Sequence, residues 1–454
     1  MRHLHFIAIG GSVMHQLAIA LHQKGYTVSG SDDDIFDPAA TQLSQYGLLP
    51  PAMGWFPEKI TPQVDAVILG MHAKLDNPEL LQAQALHIPI YSYPEYIFEQ
   101  SRDKKRVVVS GSFGKTSITA LLMHILRQAD LPFDYLVGAR LQGFDSAVQL
   151  SDAPLIIMEG DEYLASPLHR QPKIFYYRPH IAILTGIDWD HINVFPTFET
   201  YLSQFEQFVS EHIEAGGTLI YNSNDAQVCR IAQTAQHLQS IGYDQLPHVN
   251  ENGTCYIINK GEKIALQIFG QHNLANAHAA YYVCRDLGIS DSVFYAALRT
   301  FRGAARRLEC IAQHGDCAIY KDFAHAPAKV KATTQALRQL QPQARLIACF
   351  ELHTYSSLNP MFLPQYAHTL DAADHAIVFY NAHTFSIKGM PVLDPQVVKA
   401  AFDRPDLLVF DNATDLQRYL YGLSYTNTQL LLMSSGNFGG IDLAALSALV
   451  ENAS

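Results

Sequence analysis

The chain has 454 residues, a formal net charge of −12, 48% apolar and 16% charged residues, the make-up of a globular protein too long for one core, so about three domains are expected. The acidic balance argues against a nucleic-acid partner, whose phosphates demand basic surface, and no apolar run approaches the roughly 18–20 residues that cross a bilayer. Six scattered cysteines form no C-x-x-C pair, so a reduced, cytoplasmic protein without a membrane segment is expected.

Residues 1–9 are too short for a signal peptide and lack a cleavage region, so the apolar stretch 4–9 reads as a first strand. Gly10-Gly11-Ser12-Val13-Met14 turns into a helical pattern through Leu17, Ile19, Ala20 and Leu21 that ends near Gly25. A second strand, 26–30, delivers Ser31 and Asp32. A glycine turn at a helix start, with an acid ending the next strand, is βαβ logic. Ala8 and Val13 stand where a full dinucleotide fingerprint would have further glycines. The turn either binds a nucleotide diphosphate or only lets helix and strand pack closely; Asp32 favours the first. A strand over 66–69 leads into Gly70-Met71-His72-Ala73, Asp76-Asn77-Pro78-Glu79 opens a helix, and 88–91 is one more strand. The charged run Glu99-Gln100-Ser101-Arg102-Asp103-Lys104-Lys105-Arg106 reads as a solvated linker and puts a domain boundary near 103.

Val107-Val108-Val109-Ser110 reads as a buried strand that turns through Gly111-Ser112-Phe113-Gly114 into a helix opening Lys115-Thr116-Ser117. Such a junction cradles phosphate. Backbone N–H groups and the helix N-terminus face the anion, Lys115 reaches the terminal phosphates, and the Thr116 hydroxyl can hold Mg²⁺. The loop is shorter than usual, because Val109 stands at its first glycine position. Strand 155–158 ends in Glu159-Gly160-Asp161-Glu162, and strand 181–184 in Thr185-Gly186-Ile187-Asp188-Trp189-Asp190-His191. These lie where open α/β sheets bind ligands. Glu159 and His191 are candidates to join Thr116 around Mg²⁺, a histidine being unusual for so hard an ion. The alternative for His191 is a hydrogen-bonded strand-end histidine.

A hairpin-like region over 255–258 and 264–268 precedes Gln271-His272-Asn273-Leu274-Ala275-Asn276, which opens a helix. The last section holds strands 317–320, 346–350, 376–379, 407–410 and 430–433; the first delivers Asp322-Phe323-Ala324-His325-Ala326-Pro327 and the last runs into 434–440. The predicted fold is α/β in three domains. They are a Rossmann-like unit at 1–103, a phosphate-loop ATPase-like unit at 104–303, and a second Rossmann-like unit at 304–454.

The ordered set resembles the Mur ligase family. The matching parts are Gly10-Gly11, Gly111 to Ser117, Glu159 with Asp161-Glu162, Asp190-His191, His272 to Asn276, Arg306-Arg307-Leu308-Glu309 and Asp322 to Pro327, spread across nearly the whole chain. The resemblance implies an ADP-forming amide ligase that uses ATP and Mg²⁺. Lys115 would bind the γ-phosphate, and Thr116, Glu159 and His191 would hold metal. His272, Asn273 and Asn276 would meet adenine, Arg307 the phosphates and Asp322 the ribose. Gly10, Gly11, Ser12, Met14, Ser31, Asp32 and Gly70, Met71, His72, Ala73 would line a UDP-sugar site, with His325 beside the acceptor. The N-terminal form is similar to the UDP-N-acetylmuramate-binding branch. Gly160 to Tyr163, Phe175 to Pro179, Arg306 to Cys310, Met433 to Ile441 and Val13 are more similar to members that add the tripeptide L-alanyl-γ-D-glutamyl-meso-diaminopimelate than to those that add L-alanine. An acyl phosphate would form on the lactyl carboxylate and be attacked by the amine, with His191 or His325 as base and closing domains excluding water. A monomer or weak homodimer is expected.

Departures from the family pattern are Gly186 in place of asparagine, Asn193 in place of an acid, Ala326 after His325, and Glu351-Leu352-His353-Thr354 without an arginine. Competing readings are a folate polyglutamating ligase, disfavoured by the N-terminal glycine-turn domain, and an ATP-gated regulatory protein, disfavoured by the 272–276 and 322–327 pair. An NAD(P)-dependent dehydrogenase is disfavoured by the incomplete fingerprint.

Overall fold

The computed structural model describes residues 2–138, 141, 143–189, 194–304, 307–388 and 390–451, so the expectations for Asp190, His191, Asn193 and Arg306 lie outside the described residues. The chain packs as two compact units. The first gathers Met1–Trp189, Val194–Asp244 and Ala279–Val293; the second is chiefly Gln245–His278 and Phe294–Ser454.

In the first unit, β1 (His3–Ile7), β2 (Thr27–Ser31), β3 (Ala66–Leu69) and β4 (Ile90–Ser92) form a parallel sheet in the order β2-β1-β3-β4. β1 is an inner strand covered on both faces, so Leu4, Phe6 and Ile7 are buried together with His5. His5 is tolerated there because its Nε2 lies 3.1 Å from the equally buried Glu79 Oε2. The strand stops at Ile7 instead of Ile9. Ala8 takes a φ of +67°, and the amides of Ala8 and Ile9 both donate to Ser31 O at 2.9 and 3.2 Å. Helices α1 (Met14–Gln23), α2 (Ala39–Gln45), α3 (Pro78–Ala85) and α4 (Tyr93–Ser101) cover the sheet. The signals at their starts are local: Asn77 accepts from the amides of Glu79 and Leu80, and Ser92 with Glu95 forms a capping box.

The second sheet of this unit contains β5 (Lys105–Ser110), β6 (Asp134–Leu136), β7 (Val148–Gln149), β8 (Leu155–Gly160), β9 (Ile181–Leu184), β10 (Thr218–Asn222) and β11 (Gln239–Tyr243). Their order is β11-β10-β9-β5-β8-β6-β7, parallel except for β7. β5 is thus flanked by β8 and β9, with Ser110 in register with Gly160 and Leu184. One apolar cluster runs from Leu4 and Phe6 through Val108 and Ile156 to Phe205, joining both sheets.

The charged run before β5 is not a solvated linker. Lys104 and Arg106 are 8% and 3% exposed. Lys104 Nζ donates to Asp134 Oδ2, Ser151 O and Ala153 O, each at 2.7 Å. The Arg106 fork spreads over Ser101 O, Arg102 O, Tyr177 O, Arg178 O and Glu214 Oε1. A guanidinium has the donors to satisfy carbonyls left open where α4 ends, which is why a cation can be buried there.

The second unit holds an antiparallel sheet of β12 (His248–Glu251), β13 (Thr254–Asn259) and β14 (Glu262–Leu266), and a six-stranded sheet. The latter comprises β15 (Glu309–His314), β16 (Cys317–Asp322), β17 (Arg345–Leu352), β18 (His375–Tyr380), β19 (Leu408–Phe410) and β20 (Thr428–Met433), in the order β15-β16-β20-β17-β18-β19. β15 is antiparallel to β16 and the rest are parallel. The last strand therefore inserts between β16 and β17, and Asp322, Glu351 and Ser434 meet at neighbouring carboxyl ends. Glu351 accepts from the Ser434 hydroxyl and from the Phe438 amide at 2.8 Å.

Candidate active site

β5 leaves the sheet at Ser110, and α5 (Lys115–Gln128) begins four residues after Gly111. Gly111 has φ +117°, and a Cβ there would lie 2.2 Å from Thr185 Oγ1, so only glycine fits. Thr185 Oγ1 donates to Ser110 O and Phe113 O, the Ser112 amide donates to Gly186 O at 2.9 Å, and Ser112 Oγ donates to Asp188 O at 2.9 Å. The loop is thereby stapled to the segment that follows β9. The amides of Lys115, Thr116 and Ser117 open the helix without intrahelical acceptors, which leaves an anion-attracting end.

Lys115 Nζ donates to Gly111 O at 2.5 Å and to Glu162 Oε2 at 3.1 Å, and Glu162 Oε1 accepts from Tyr201 OH at 2.9 Å. Burial opposes the ammonium charge, but Glu162, Asp161 and Glu159 together outweigh it, and the Lys115 pKa is raised. Lys115 therefore stays a cation at the strand ends. Thr116 Oγ1 donates to Glu159 Oε2 at 3.3 Å. A hydroxyl and a carboxylate so close are the hard oxygen donors Mg²⁺ takes, and they fit it. His191 falls outside the described residues, among which no group of three or more His, Cys, Asp and Glu has metal-holding geometry. Glu162 carried no assigned role in the sequence, and Tyr201 gave no signal there, since it arrives from a helix 39 residues further on.

At the N-terminal sheet, the Gly10 amide donates to Asp32 Oδ2 at 2.7 Å and the Asp33 amide to Asp32 Oδ1 at 2.9 Å. Burial raises the Asp32 pKa, with those two amides working against it. Asp32 thus ties the glycine turn to the end of β2. His15 Nδ1 donates to Gly11 O at 2.8 Å, Ser12 is exposed, and the Met14 side chain is buried in the core. Ser31 is buried and accepts from Lys59 Nζ at 3.0 Å. Gly70 follows β3 and accepts from the Ala73 amide at 3.2 Å, with Met71 half-buried and His72 exposed.

The first turns of the helix Gln271–Asp286, which belong to the second unit, carry His272, Asn273 and Asn276. Asn273 Nδ2 donates to Phe269 O at 3.0 Å, Asn276 is buried, and desolvation pushes the His272 imidazole down to about 4. Asp322 accepts from the Leu308 and Ala324 amides, both at 2.6 Å. Burial nevertheless lifts its carboxyl to about 6, with Arg307 opposing. Both oxygens are engaged, so Asp322 staples its own turn. Arg307 lies 4.9 Å from the centroid of the Phe323 ring, and His325 Nδ1 donates to Phe323 O at 2.9 Å.

Three family models match in chain order: "Mur ligase family, catalytic domain" over residues 3–105, "Mur ligase middle domain" over 109–284 and "Mur ligase, glutamate ligase domain" over 306–436. The UDP-N-acetylmuramate–L-alanine ligase of Aquifex aeolicus is 31% identical, covering 79% of this chain and 79% of that protein. The chain belongs to the Mur ligase family. Mur ligases are ATP-dependent, ADP-forming amide ligases, and this Mur ligase is one of them. The UDP-N-acetylmuramate–L-alanyl-γ-D-glutamyl-meso-2,6-diaminoheptandioate ligase of Haemophilus influenzae is 27% identical over 99% of both chains. Among solved structures, a murein peptide ligase from Psychrobacter arcticus matches with TM-score 0.64 at 23% identity over 100% of both chains. The UDP-N-acetylmuramate-alanine ligase MurC from Thermotoga maritima matches with TM-score 0.68 at 19% identity, covering 99% of this chain and 98% of that one. These two likenesses concern the fold.

Proposed function

We propose that this Mur ligase joins the lactyl carboxylate of UDP-N-acetylmuramate to the amine of L-alanyl-γ-D-glutamyl-meso-diaminopimelate. The observation that carries the ATP step is Lys115, held charged by Glu162 at the mouth of the loop, one residue from the Thr116–Glu159 pair. The tripeptide is supported by the end-to-end match to the Haemophilus influenzae enzyme and by the stretches Gly160 to Tyr163 and Met433 to Ile441. Addition of L-alanine is the second reading, favoured by the Aquifex aeolicus relative.

A carboxylate is a poor electrophile, so it is first phosphorylated: its oxygen attacks the γ-phosphorus of ATP and ADP leaves. Lys115 and the helix N-terminus neutralise charge on the transferring group. Mg²⁺, held by Thr116 and Glu159, supplies further charge neutralisation when bound. The amine then attacks the acyl carbon and expels phosphate. Its proton needs a base. His191 and His325 are our candidates. A cytoplasmic location, supported by six free cysteines, and a monomer or weak homodimer belong to the same proposal.

The test is ADP release with UDP-N-acetylmuramate and either the tripeptide or L-alanine, with Lys115→Ala as the inactive control. Faster turnover with the tripeptide is expected; faster turnover with L-alanine overturns the tripeptide assignment, and activity in the control overturns the site.

A further inference from the structure

Between β8 and β9 the chain makes a closed excursion. The Ile174 amide donates to Asp161 O at 3.2 Å, the Lys173 amide to Tyr163 O at 2.9 Å and the Ala165 amide to Gln171 O at 2.9 Å. Lys173 therefore returns beside the residues that follow Glu159. Its Nζ donates to Asp161 Oδ2 at 2.6 Å and stands 5.6 and 5.7 Å from the ring centroids of Tyr93 and Tyr163. Tyr93 follows Ser92 at the carboxyl end of β4, in the sheet that carries Gly10 and Asp32. The tip of the excursion reaches the same part of the unit. Leu168 packs against the apolar cluster that holds Ile7, Val67 and Leu69, and His169 Nδ1 lies 3.8 Å from Glu95 Oε1.

We propose that Lys173 binds the carboxylate of the donor sugar and orients it for phosphorylation, an inference that rests on the function proposed above. The side chain is only 15% exposed, while its partner Asp161 is 38% exposed. An ammonium has three donors, and among the described residues Asp161 Oδ2 accepts from one of them. The N–H groups not turned to Asp161 can donate to an incoming carboxylate, a stronger acceptor than the water it displaces. Charge points the same way. Glu159, Asp161 and Glu162 cluster at the end of β8 and would repel an anionic donor, and Lys115 is committed to Glu162 and the phosphate loop. Lys173 is the second cation of that group. Two tyrosine faces hold it in place without neutralising it.

The experiment measures equilibrium affinity for two probes, UDP-N-acetylmuramate and UDP-N-acetylglucosamine, which differ by the lactyl ether and its carboxylate. In the unaltered protein the first is expected to bind about tenfold more tightly, as one charge-assisted hydrogen bond supplies. In Lys173→Gln that preference should collapse to within about twofold, with UDP-N-acetylglucosamine affinity unchanged. An equal loss for both probes would show a purely structural lysine, and a retained preference would show that the carboxylate is read elsewhere; either overturns the proposal. If Lys173→Gln fails to fold, Lys173→Arg decides: the charge stays but the donors move, so the preference narrows if Lys173 makes the contact and is unaltered if it does not. Binding of neither probe by the unaltered protein overturns the proposed donor itself, a distinct outcome that removes this inference with it.

Discussion

Phe113 and Gly186 form a complementary pair whose disruption should act directly on the phosphate loop. A Cβ at position 186 would lie 2.0 Å from Phe113 Cζ, 2.4 Å from Cε1 and 2.9 Å from Cε2. Carbon contacts settle near 3.5–4.0 Å, so the ring must retreat by about 1.5 Å. The loop backbone cannot follow easily, because Phe113 O is held by Thr185 Oγ1 and the Ser112 amide by Gly186 O. The ring must instead leave its rotamer, which costs roughly 0.5–1.5 kcal/mol and is part of the roughly 1–3 kcal/mol that overpacking typically costs. Gly186→Ala should therefore weaken binding of a non-hydrolysable ATP analogue by about 1–3 kcal/mol, roughly 5- to 150-fold. Phe113→Ala removes a half-buried ring and should cost less. In the double variant the methyl occupies space the ring has vacated, so the combined loss should fall short of the sum by at least about 1 kcal/mol. Analogue affinity for the four proteins, with melting curves to confirm folding, completes the cycle. Additivity within about 0.5 kcal/mol would refute the steric reasoning.

Arg106→Met should lower the urea midpoint by the equivalent of about 3–5 kcal/mol, since five carbonyls and Glu214 lose a buried partner. Lysine at that position should recover little, because an ammonium cannot reproduce the fork; a loss below about 1 kcal/mol would contradict the buried-staple role. Asp322 should make stability fall with rising pH. Its carboxyl is raised from 3.8 to about 6, so its favourable contribution is full below pH 3.8 and is lost as pH climbs through 6, about 3 kcal/mol in all. Asp322→Asn lacks this component, so the stability difference between the two proteins should change over that window; a flat difference by urea titration at several pH values would count against it.

By itself the sequence determined what depends on neighbours along the chain. The Gly111 to Ser117 junction, the helix start at Asn77 and the alternation of strands and helices are local, and local conformational preference is enough to write them. That β5 lies between β8 and β9, which sets Glu159 beside Thr116, was decided by strand pairing in the sheet. Lys104 and Arg106 look solvated as part of a charged run, yet they are buried, because the carboxylates that pair with them, Asp134 and Glu214, lie 30 and 108 residues away. The same holds for Glu162 and Tyr201 around Lys115, for Phe113 against Gly186, and for Lys173 between Asp161 and Tyr93. Cost of burial and satisfaction of donors are properties of a packed neighbourhood. A one-dimensional pattern names the phosphate loop, but only the tertiary structure decides which charges stand around it.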